Sequence, residues 1–165
     1  MRVVGLDLSI TATGIAGIAG VTYTVQTRLK GDHRLLAIRK AVADLTADCD
    51  LAAIEDLPTH AHGAGVTGMV HGVVRELLLA RGVPYVLITP AGVKKYATGK
   101  GSCGKPEMAV AAFKRAGVEF GDDNQCDAWW LRAMTLDHLG QPVVTVPESH
   151  RVALKPVAWP VLIGE

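Results

Sequence analysis

Three acidic residues stand at positions where a protein rarely leaves a carboxylate unpaired. Asp7 lies inside an apolar run near the start of the chain, Glu55 directly follows the apolar run 51–54, and Asp127 lies in the first turn of an apolar helical pattern. A charged group in an apolar environment is strongly unfavourable unless another charge or a metal ion compensates it. We therefore expect these three carboxylates, carried by three separate elements, to converge at one end of a sheet.

A cluster of three or four carboxylates suits divalent metal ions, because magnesium prefers hard oxygen ligands. Two such ions about 4 Å apart activate water and stabilise the attacking and leaving oxygens during phosphodiester hydrolysis. The pattern therefore indicates a metal site for the cleavage of phosphodiester bonds. Taken alone, Asp7 is equally compatible with a satisfied core residue or a solvent-facing one, so the interpretation depends on the three acids together.

The positive charges are concentrated in one part of the chain, although the net charge of the whole sequence is only +1. The range 92–115 contains a single acid, Glu107, and six cations: Lys94, Lys95, Lys100, Lys105, Lys114 and Arg115. Contacts between such cations and phosphates supply most of the sequence-independent affinity for nucleic acids. The stretch is therefore a candidate DNA-binding surface, and the alternative is an ordinary solvated face.

The elements that must position these residues follow from apolar periodicity and from turn residues. Strands are predicted at 1–8, 14–19, 22–28, 51–54 and 83–89, and helices at 31–47, 65–80, 105–116 and 124–139. Of the adjacent Trp129 and Trp130, one is expected in the core and the other on the surface. The segment after Gly140 carries four prolines and is predicted to be an extended tail.

This order, β-β-β-α-β-α-β-α-α, predicts an α/β fold. A three-stranded antiparallel meander followed by helix–strand alternation builds a mixed sheet, with parallel strands after the meander and helices on both faces. The ribonuclease H-like fold has this layout. We expect one ribonuclease H-like nuclease domain over residues 1–140 and a C-terminal extended tail over residues 141–165.

The predicted helix 65–80 has a clear apolar face and two glycines, Gly68 and Gly72, four residues apart. Each glycine costs about 1 kcal/mol of helix propensity relative to alanine. That cost suggests that another backbone approaches the helix closely. The approaching element is either another helix of the same chain or a second subunit.

The chain is expected to be intracellular and to make no membrane contact. Its opening residues are too short and too acidic for a signal peptide, and no apolar run approaches the length of a membrane span. Three cysteines are present, an odd number, and no two have the CxxC spacing: Cys49, Cys103 and Cys126. This favours unpaired thiols in a reducing compartment.

Several stretches, taken in chain order, resemble the motifs of RuvC-type Holliday junction resolvases of the ribonuclease H-like superfamily. They are an opening motif at 5–16, a second acidic motif at 53–56, a glycine-containing helix at 65–79, lysine-bearing stretches at 93–94 and 101–105, and a closing motif at 122–128. The closing motif, DDNQCDA, resembles that of bacteriophage-encoded members. The resemblance covers about residues 1 to 140, and motifs kept in this order are more specific than any one of them.

The resemblance implies a metal-dependent endonuclease that resolves four-way or related branched DNA junctions. It implies two divalent ions per active site, Mg²⁺ with Mn²⁺ able to substitute, bound by Asp7, Glu55 and Asp127. It also implies that Lys105 stabilises charge near the scissile phosphate, with Lys94 as a weaker candidate. For both lysines, a solvated surface cation is the alternative.

The resemblance further implies a homodimer whose two active sites each nick one of two like strands. The expected dimer interface is Gly68, Met69, Gly72 and Val73, and the expected DNA contacts are Lys94, Lys95, Lys100, Lys105 and His60. The implied location is the cytoplasm, that of a host cell if the protein is encoded by a phage.

Two departures from the family pattern bear on the site. Cellular members usually place a fourth acid three residues before the last one, where this chain has Asn124. Asp123 lies four residues before Asp127 on the same helical face, and we favour it slightly over Asn124 as the fourth ligand. The second departure follows Glu55, where Pro58, His60 and His62 replace an aromatic residue often found in cellular members.

Three other functions stay open. A nuclease of the same fold with a broader preference for flaps and forks is the nearest, and a catalytically inactive junction-binding module is kept open by Asn124. Actin-like ATPases and sugar kinases share the opening strand, yet they need a second domain and glycine-rich phosphate loops.

Overall fold

The computed structural model describes residues 1–57 and 64–161 of the chain. The strands are β1 (Val3–Asp7), β2 (Thr13–Ala16), β3 (Thr22–Val25), β4 (Leu51–Glu55) and β5 (Tyr85–Ile88). The helices are α1 (Gly31–Leu45), α2 (Ala64–Ala80), α3 (Pro90–Thr98), α4 (Lys105–Ala116), α5 (Asp123–His138) and α6 (Glu148–Arg151), and α6 continues into a 3-10 turn, Val152–Leu154.

The five strands form one mixed sheet in the order β3-β2-β1-β4-β5. The first three strands pair antiparallel as a meander, while β1–β4 and β4–β5 are parallel. The two central strands β1 and β4 are apolar and buried almost throughout, as expected for strands covered on both faces. The predicted α/β mixed sheet, a meander followed by parallel strands, is therefore confirmed.

Helices cover both faces of this sheet, as predicted. Helices α1 and α2 pack on one face, around a core that includes Leu6, Ile54 and Leu78. Helices α3, α4 and α5 pack on the other face, around a second core built on Trp130 and Met134. The sheet is thus enclosed, and only its edges and the ends of its strands are available for chemistry.

Helix α5 is the central element of the second core, and it corrects the prediction for the two tryptophans. Both Trp129 and Trp130 are buried, at 5% and 0% exposure. Their rings meet edge to face with centroids 4.9 Å apart, and Trp130 Nε1 donates a hydrogen bond to the carbonyl oxygen of Met108 at 3.2 Å. Helices α3 and α4 cover the side of α5 that the sequence pattern assigned to solvent.

Helix α3 was absent from the predicted element order, which took Pro90 as the end of a strand. Proline is favoured at the first position of a helix, because no intrahelical partner exists there for its missing N–H. Thr89 caps this helix, and its side-chain oxygen accepts a hydrogen bond from Gly92 N at 3.1 Å. The same proline that ends β5 therefore starts α3.

The C-terminal segment is also more structured than predicted. Instead of a fully extended tail, it contains α6 and the following 3-10 turn. Val144, Val146 and Ala153 are buried in the core on the α5 side of the sheet. Apolar side chains between the prolines explain this packing. The boundary at residue 140 stays a prediction.

Two further expectations concern thiols and membranes. The three cysteines are buried and free, in agreement with the prediction of unpaired thiols. Within residues 1–57 and 64–161, every helix is too short or too polar to cross a bilayer.

Candidate active site

Two of the predicted acids end adjacent parallel strands. Asp7 is the last residue of β1 and Glu55 is the last residue of β4, and the strands run side by side with Leu6 opposite Ile54. The carboxyl groups of Asp7 and Glu55 therefore lie at the same edge of the sheet, and each perturbs the pKa of the other. Two adjacent buried carboxylates repel each other, so ionisation of both is unfavourable without a compensating cation.

The third acid reaches the pair because α5 lies unusually close to the sheet. A Cβ atom on Gly5 of β1 would overlap the carbonyl oxygen of Ala128 and lie 2.9 Å from Arg132 N. A Cβ atom on Gly14 of β2 would overlap the backbone of Asn124. Two glycines thus remove the side chains that would otherwise separate helix from sheet. Asp127, on the turn of α5 between these contacts, is thereby brought to the carboxyl end of β1.

A hydrogen-bond chain fixes the beginning of α5 on strand β3. Asp122 caps the helix and accepts a hydrogen bond from Gln125 N at 2.9 Å. Thr24 Oγ1 donates to Asp122 Oδ2 at 2.5 Å, and Gln125 Nε2 donates to Thr24 Oγ1 at 3.2 Å. Thr22 Oγ1 donates to Gln125 Oε1 at 3.0 Å. These contacts set the rotation of α5 and with it the direction of Asp127.

Burial raises the proton affinity of all three carboxylates, and neighbouring negative charge raises it further at Asp7 and Glu55. Burial, followed by the charges of Glu55 and Asp127, raises the pKa of Asp7 from its ordinary value of 3.8 to about 8. Burial and the charge of Asp127 raise the pKa of Glu55 from 4.5 to about 7. Burial also raises the pKa of Asp127. The site therefore concentrates negative charge that the protein's own cations do not neutralise.

Two lysines face this cluster. The charges of Lys105 and Lys94 lower the pKa values of Glu55 and Asp127, against the effect of burial. Lys105 is the first residue of α4, largely exposed, and it forms an ion pair with Asp123. Lys94 is half-buried on α3. The structure thus brings both predicted lysines to the carboxylates from two different helices.

The donor set fits a hard divalent cation, although its three acids are not gathered around one point. Asp7, Glu55 and Asp127 offer only carboxylate oxygens, the ligands that Mg²⁺ and Mn²⁺ prefer. Among residues 1–57 and 64–161, however, no group of three His, Cys, Asp or Glu side chains is arranged to hold a single ion.

The two candidates for a fourth ligand have other partners. The Asp123 carboxylate is ion-paired with Lys105, and the Asn124 side chain hydrogen-bonds to Asp122. The choice between them stays a prediction.

Two of the remaining predicted DNA contacts lie on α3 or directly after it. Lys95 and Lys100 are exposed, at the end of α3 and in the loop that follows it. His60 lies outside the residues that the structure describes, as do Pro58 and His62.

The predicted dimer residues are spread around α2: Gly68 and Gly72 line one groove, Met69 lies beside the start of α1, and Val73 packs against the core between α1 and α2. Gly72 and Met69 are exposed, and Gly68 and Val73 are partly buried. No other described atom lies within 4 Å of a Cβ built on Gly72, and only the Leu57 side chain reaches one on Gly68, at 4.0 Å. The groove has a volume of about 700 Å³. Helix α1 lies beside this groove, where Arg39 pairs with Glu76 at 3.1 Å, and the dimer interface stays a prediction.

Sequence reasoning missed the groups that position Asp127. Gly5 and Gly14 were read only as parts of the opening motif, and Thr24 and Gln125 were not singled out. Asp122 was visible as an N-cap signal, because an aspartate directly before an apolar helix is a favoured cap. The partners on β3, roughly a hundred residues earlier, leave no local signal.

Comparison with known proteins places the chain beside bacterial relatives. It is 31% identical over 130 residues to the crossover junction endodeoxyribonuclease RuvC of Paenarthrobacter aurescens, covering 69% of this chain and 68% of that protein. It is 31% identical over 133 residues to the protein of that name from Corynebacterium efficiens, covering 72% of this chain. The chain spans 60% of the length of that relative. No protein-family model matches the chain.

Solved structures agree on the fold. The structure of Thermus thermophilus RuvC superimposes with a TM-score of 0.69 at 21% sequence identity, covering 88% of this chain and 100% of that one. The structure of T. thermophilus RuvC in complex with a Holliday junction substrate gives a TM-score of 0.70, also at 21% identity.

Proposed function

Because the chain belongs to the RuvC family of crossover junction endodeoxyribonucleases, we propose that it is a metal-dependent endonuclease that resolves four-way DNA junctions. The observation that carries the proposal is that Asp7 and Glu55 end two adjacent parallel strands, while the turn of α5 that carries Asp127 packs directly on β1 and β2. The charges of Lys94 and Lys105 act on these carboxylates. Such a cluster binds cations and phosphates together, as hydrolysis of a phosphodiester requires.

The carboxylates form the metal site in this proposal. Asp7, Glu55 and Asp127 hold two ions, Mg²⁺ or Mn²⁺, which when bound supply an activated water and neutralise charge on the attacking and leaving oxygens. The pKa values of Asp7 and Glu55 are raised, and both groups must be ionised to serve as ligands. The raised pKa values of this pair therefore make metal binding stronger as the pH rises.

The lysines act on the phosphate. Lys105, at the exposed start of α4, exchanges its ion pair with Asp123 for the scissile phosphate and stabilises the charge that develops there. Release of Asp123 would free a fourth carboxylate beside the metal site. Lys94 contributes a second positive charge from α3, and Lys95 and Lys100 extend the contact along the DNA backbone.

The substrate and assembly follow from the same proposal. A homodimer that pairs through Gly68, Met69, Gly72 and Val73 of α2 carries two such sites. Each site nicks one of two like strands of the junction, so the two cuts together resolve it. Origin in a bacteriophage stays a prediction.

The test is cleavage of a labelled synthetic four-way junction, beside a flap, a fork and a linear duplex of the same sequence. Reactions contain Mg²⁺, Mn²⁺ or EDTA, and junction binding is measured separately. We expect paired symmetric nicks in the junction that require a metal ion. Asp7→Asn should bind the junction and fail to cut it. Asp50→Asn is a matched control, because Asp50 lies just before β4, away from the carboxyl end, and pairs with Arg2 at 2.8 Å.

Three outcomes would replace the proposal. Equal cutting of flaps and forks would make the protein a general debranching nuclease. Junction binding without cleavage in either metal would make it an inactive binding module. Cleavage by Asp7→Asn at the wild-type rate would place the metal site elsewhere.

A further inference from the structure

The C-terminal segment 148–159 packs against the ends of two helices that carry active-site residues. His150 Nδ1 lies 3.1 Å from the carbonyl oxygen of Tyr96, in the last turn of α3. The His150 ring also covers Gly99, where a Cβ atom would lie 2.7 Å from Nε2. Further along, Trp159 stacks on His138 at the end of α5, with ring centroids 3.8 Å apart and an angle of 6°. The segment therefore connects α3 to α5.

A buried carboxylate lies at the centre of this connection. Asp137 of α5 is 6% exposed, and its Oδ2 atom accepts hydrogen bonds from Tyr96 Oη at 3.1 Å and from Arg151 Nε at 3.0 Å. The Tyr96 ring is fully buried and packs edge to face against Trp130, with centroids 6.0 Å apart. A buried carboxylate without partners is strongly unfavourable. Arg151 supplies the positive charge that stabilises the buried Asp137 carboxylate. The carboxylate in turn accepts the hydrogen bond that the Tyr96 hydroxyl donates.

Helix α3 links the hydrogen-bonded group of Arg151, Asp137 and Tyr96 to the active site. It begins two residues after Ile88, which pairs with Glu55 across the sheet, so α3 starts beside the end of β4. The same short helix carries Tyr96 in the core and the half-buried Lys94, whose charge lowers the pKa values of Glu55 and Asp127. A helix of nine residues is rigid, so a shift or rotation at Tyr96 displaces Lys94 as well.

We propose that Arg151 is a positioning residue, which acts through Asp137 and Tyr96 to hold α3 so that Lys94 faces the metal-binding carboxylates. The inference rests on the proposed function, in which Lys94 is the second cation of the cleavage site. The C-terminal segment 148–159 then acts as a strap that sets the geometry of that site.

The experiment compares Arg151→Met and Arg151→Lys, each with Lys94 intact and with Lys94→Ala. Single-turnover cleavage of the four-way junction and junction Kd are measured separately, per folded molecule. Misplacement of a catalytic group by about 1 Å costs up to about a hundredfold in rate. Because Lys94 is the second cation of the site, we expect a smaller effect: Arg151→Met should lower the cleavage rate about tenfold and change the junction Kd by less than about twofold. Arg151→Lys keeps the positive charge and should retain most of the wild-type cleavage rate.

The double variants separate positioning from general destabilisation. With Lys94→Ala present, Arg151→Met should cause no further loss, because the group it positions is already absent. An equal loss in both backgrounds, or an unchanged rate for Arg151→Met, would overturn the proposal. Arg2→Met is the matched control, because Arg2 forms an exposed pair with Asp50 away from the site, and its rate should equal that of the wild type.

Two further measurements keep the inference decidable. If Arg151→Met fails to fold, Tyr96→Phe is used instead, because it removes only the hydroxyl that binds Asp137. Tyr96→Phe should lower the cleavage rate when Lys94 is present and cause no further loss in the Lys94→Ala background. A further loss in that background would contradict the inference. If the wild type cuts no substrate, the proposed function fails. In that case, amide hydrogen exchange tests whether the C-terminal segment holds α3 in place. Arg151→Met should speed amide exchange in α3 and leave exchange in α1 unchanged, and unchanged exchange in α3 would overturn the proposal.

Discussion

Replacement of Gly5 by alanine tests whether close packing of α5 on β1 builds the active site. Gly5 lies in the middle of β1, two residues before Asp7, and its Cα atom faces α5. The added methyl group would overlap the carbonyl oxygen of Ala128 and lie 2.9 Å from Arg132 N. Both neighbours are backbone atoms of a buried helix, so neither can rotate away.

The size of the effect follows from these distances. Ordinary contacts to a Cβ begin at 3.4 Å, so Arg132 N alone must retreat by about 0.5 Å, and the Ala128 carbonyl must retreat further. Asp127 precedes Ala128 and moves with it, by roughly 1 Å. Overpacking of this kind costs about 1–3 kcal/mol of unfolding free energy, or roughly 3 to 10 °C in Tm. A displacement of about 1 Å at a catalytic group lowers the rate up to about a hundredfold.

The assay measures Tm and single-turnover junction cleavage for Gly5→Ala, with Gly17→Ala as the matched control. A Cβ on Gly17 would meet its nearest neighbour, the Val21 carbonyl oxygen, at 3.6 Å, an ordinary contact. We expect Gly5→Ala to lose both stability and activity while Gly17→Ala keeps both. A Gly5→Ala variant with the Tm and rate of the wild type would refute the argument that this glycine sets the position of Asp127.

Three other predictions follow from the carboxylates and from α2. The pKa values of Asp7 and Glu55 are raised to about 8 and 7, so at pH values between the ordinary and the raised pKa the folded state binds more protons than the unfolded state. The free energy of unfolding is therefore highest at low pH and decreases as the pH rises through that window. Without metal, Tm should fall by more than about 5 °C between about pH 5 and pH 8.5, and a flat profile in a thermal scan would contradict this. Asp7→Asn removes one of the repelling charges, so at pH 8 its metal-free Tm should exceed that of the wild type by calorimetry, and a lower Tm would count against the pairing. Gly72→Leu should weaken dimerisation at least about tenfold in sedimentation equilibrium, because it places a bulky side chain on the exposed face of α2; an unchanged dimer would move the interface elsewhere.

Local chemistry along the chain determined which segments form strands and which residues are candidate ligands, although β2 and β3 each end three residues before the predicted limit. Asp7 and Glu55 each close an apolar run of strand length, and parallel strands that lie side by side must bring such residues to the same edge. The apolar periodicity of the long helices also set most of their limits, since one turn repeats every 3.6 residues. The family motifs then added the roles of Lys94 and Lys105.

The tertiary structure decided the contacts between distant parts of the chain. Helix α3 was missed because Pro90 ends a strand and starts a helix equally well, and only packing decides between the two uses. Both tryptophans are buried because Trp130 contacts Tyr96 of α3 and Met108 of α4, while Trp129 packs against Phe120 in the loop after α4. Asp127 lies near Asp7 only because Gly5 has no side chain and the backbone of α5 can approach β1. Apolar periodicity depends on residues that are close in sequence, so it could not predict a contact between distant parts of the chain.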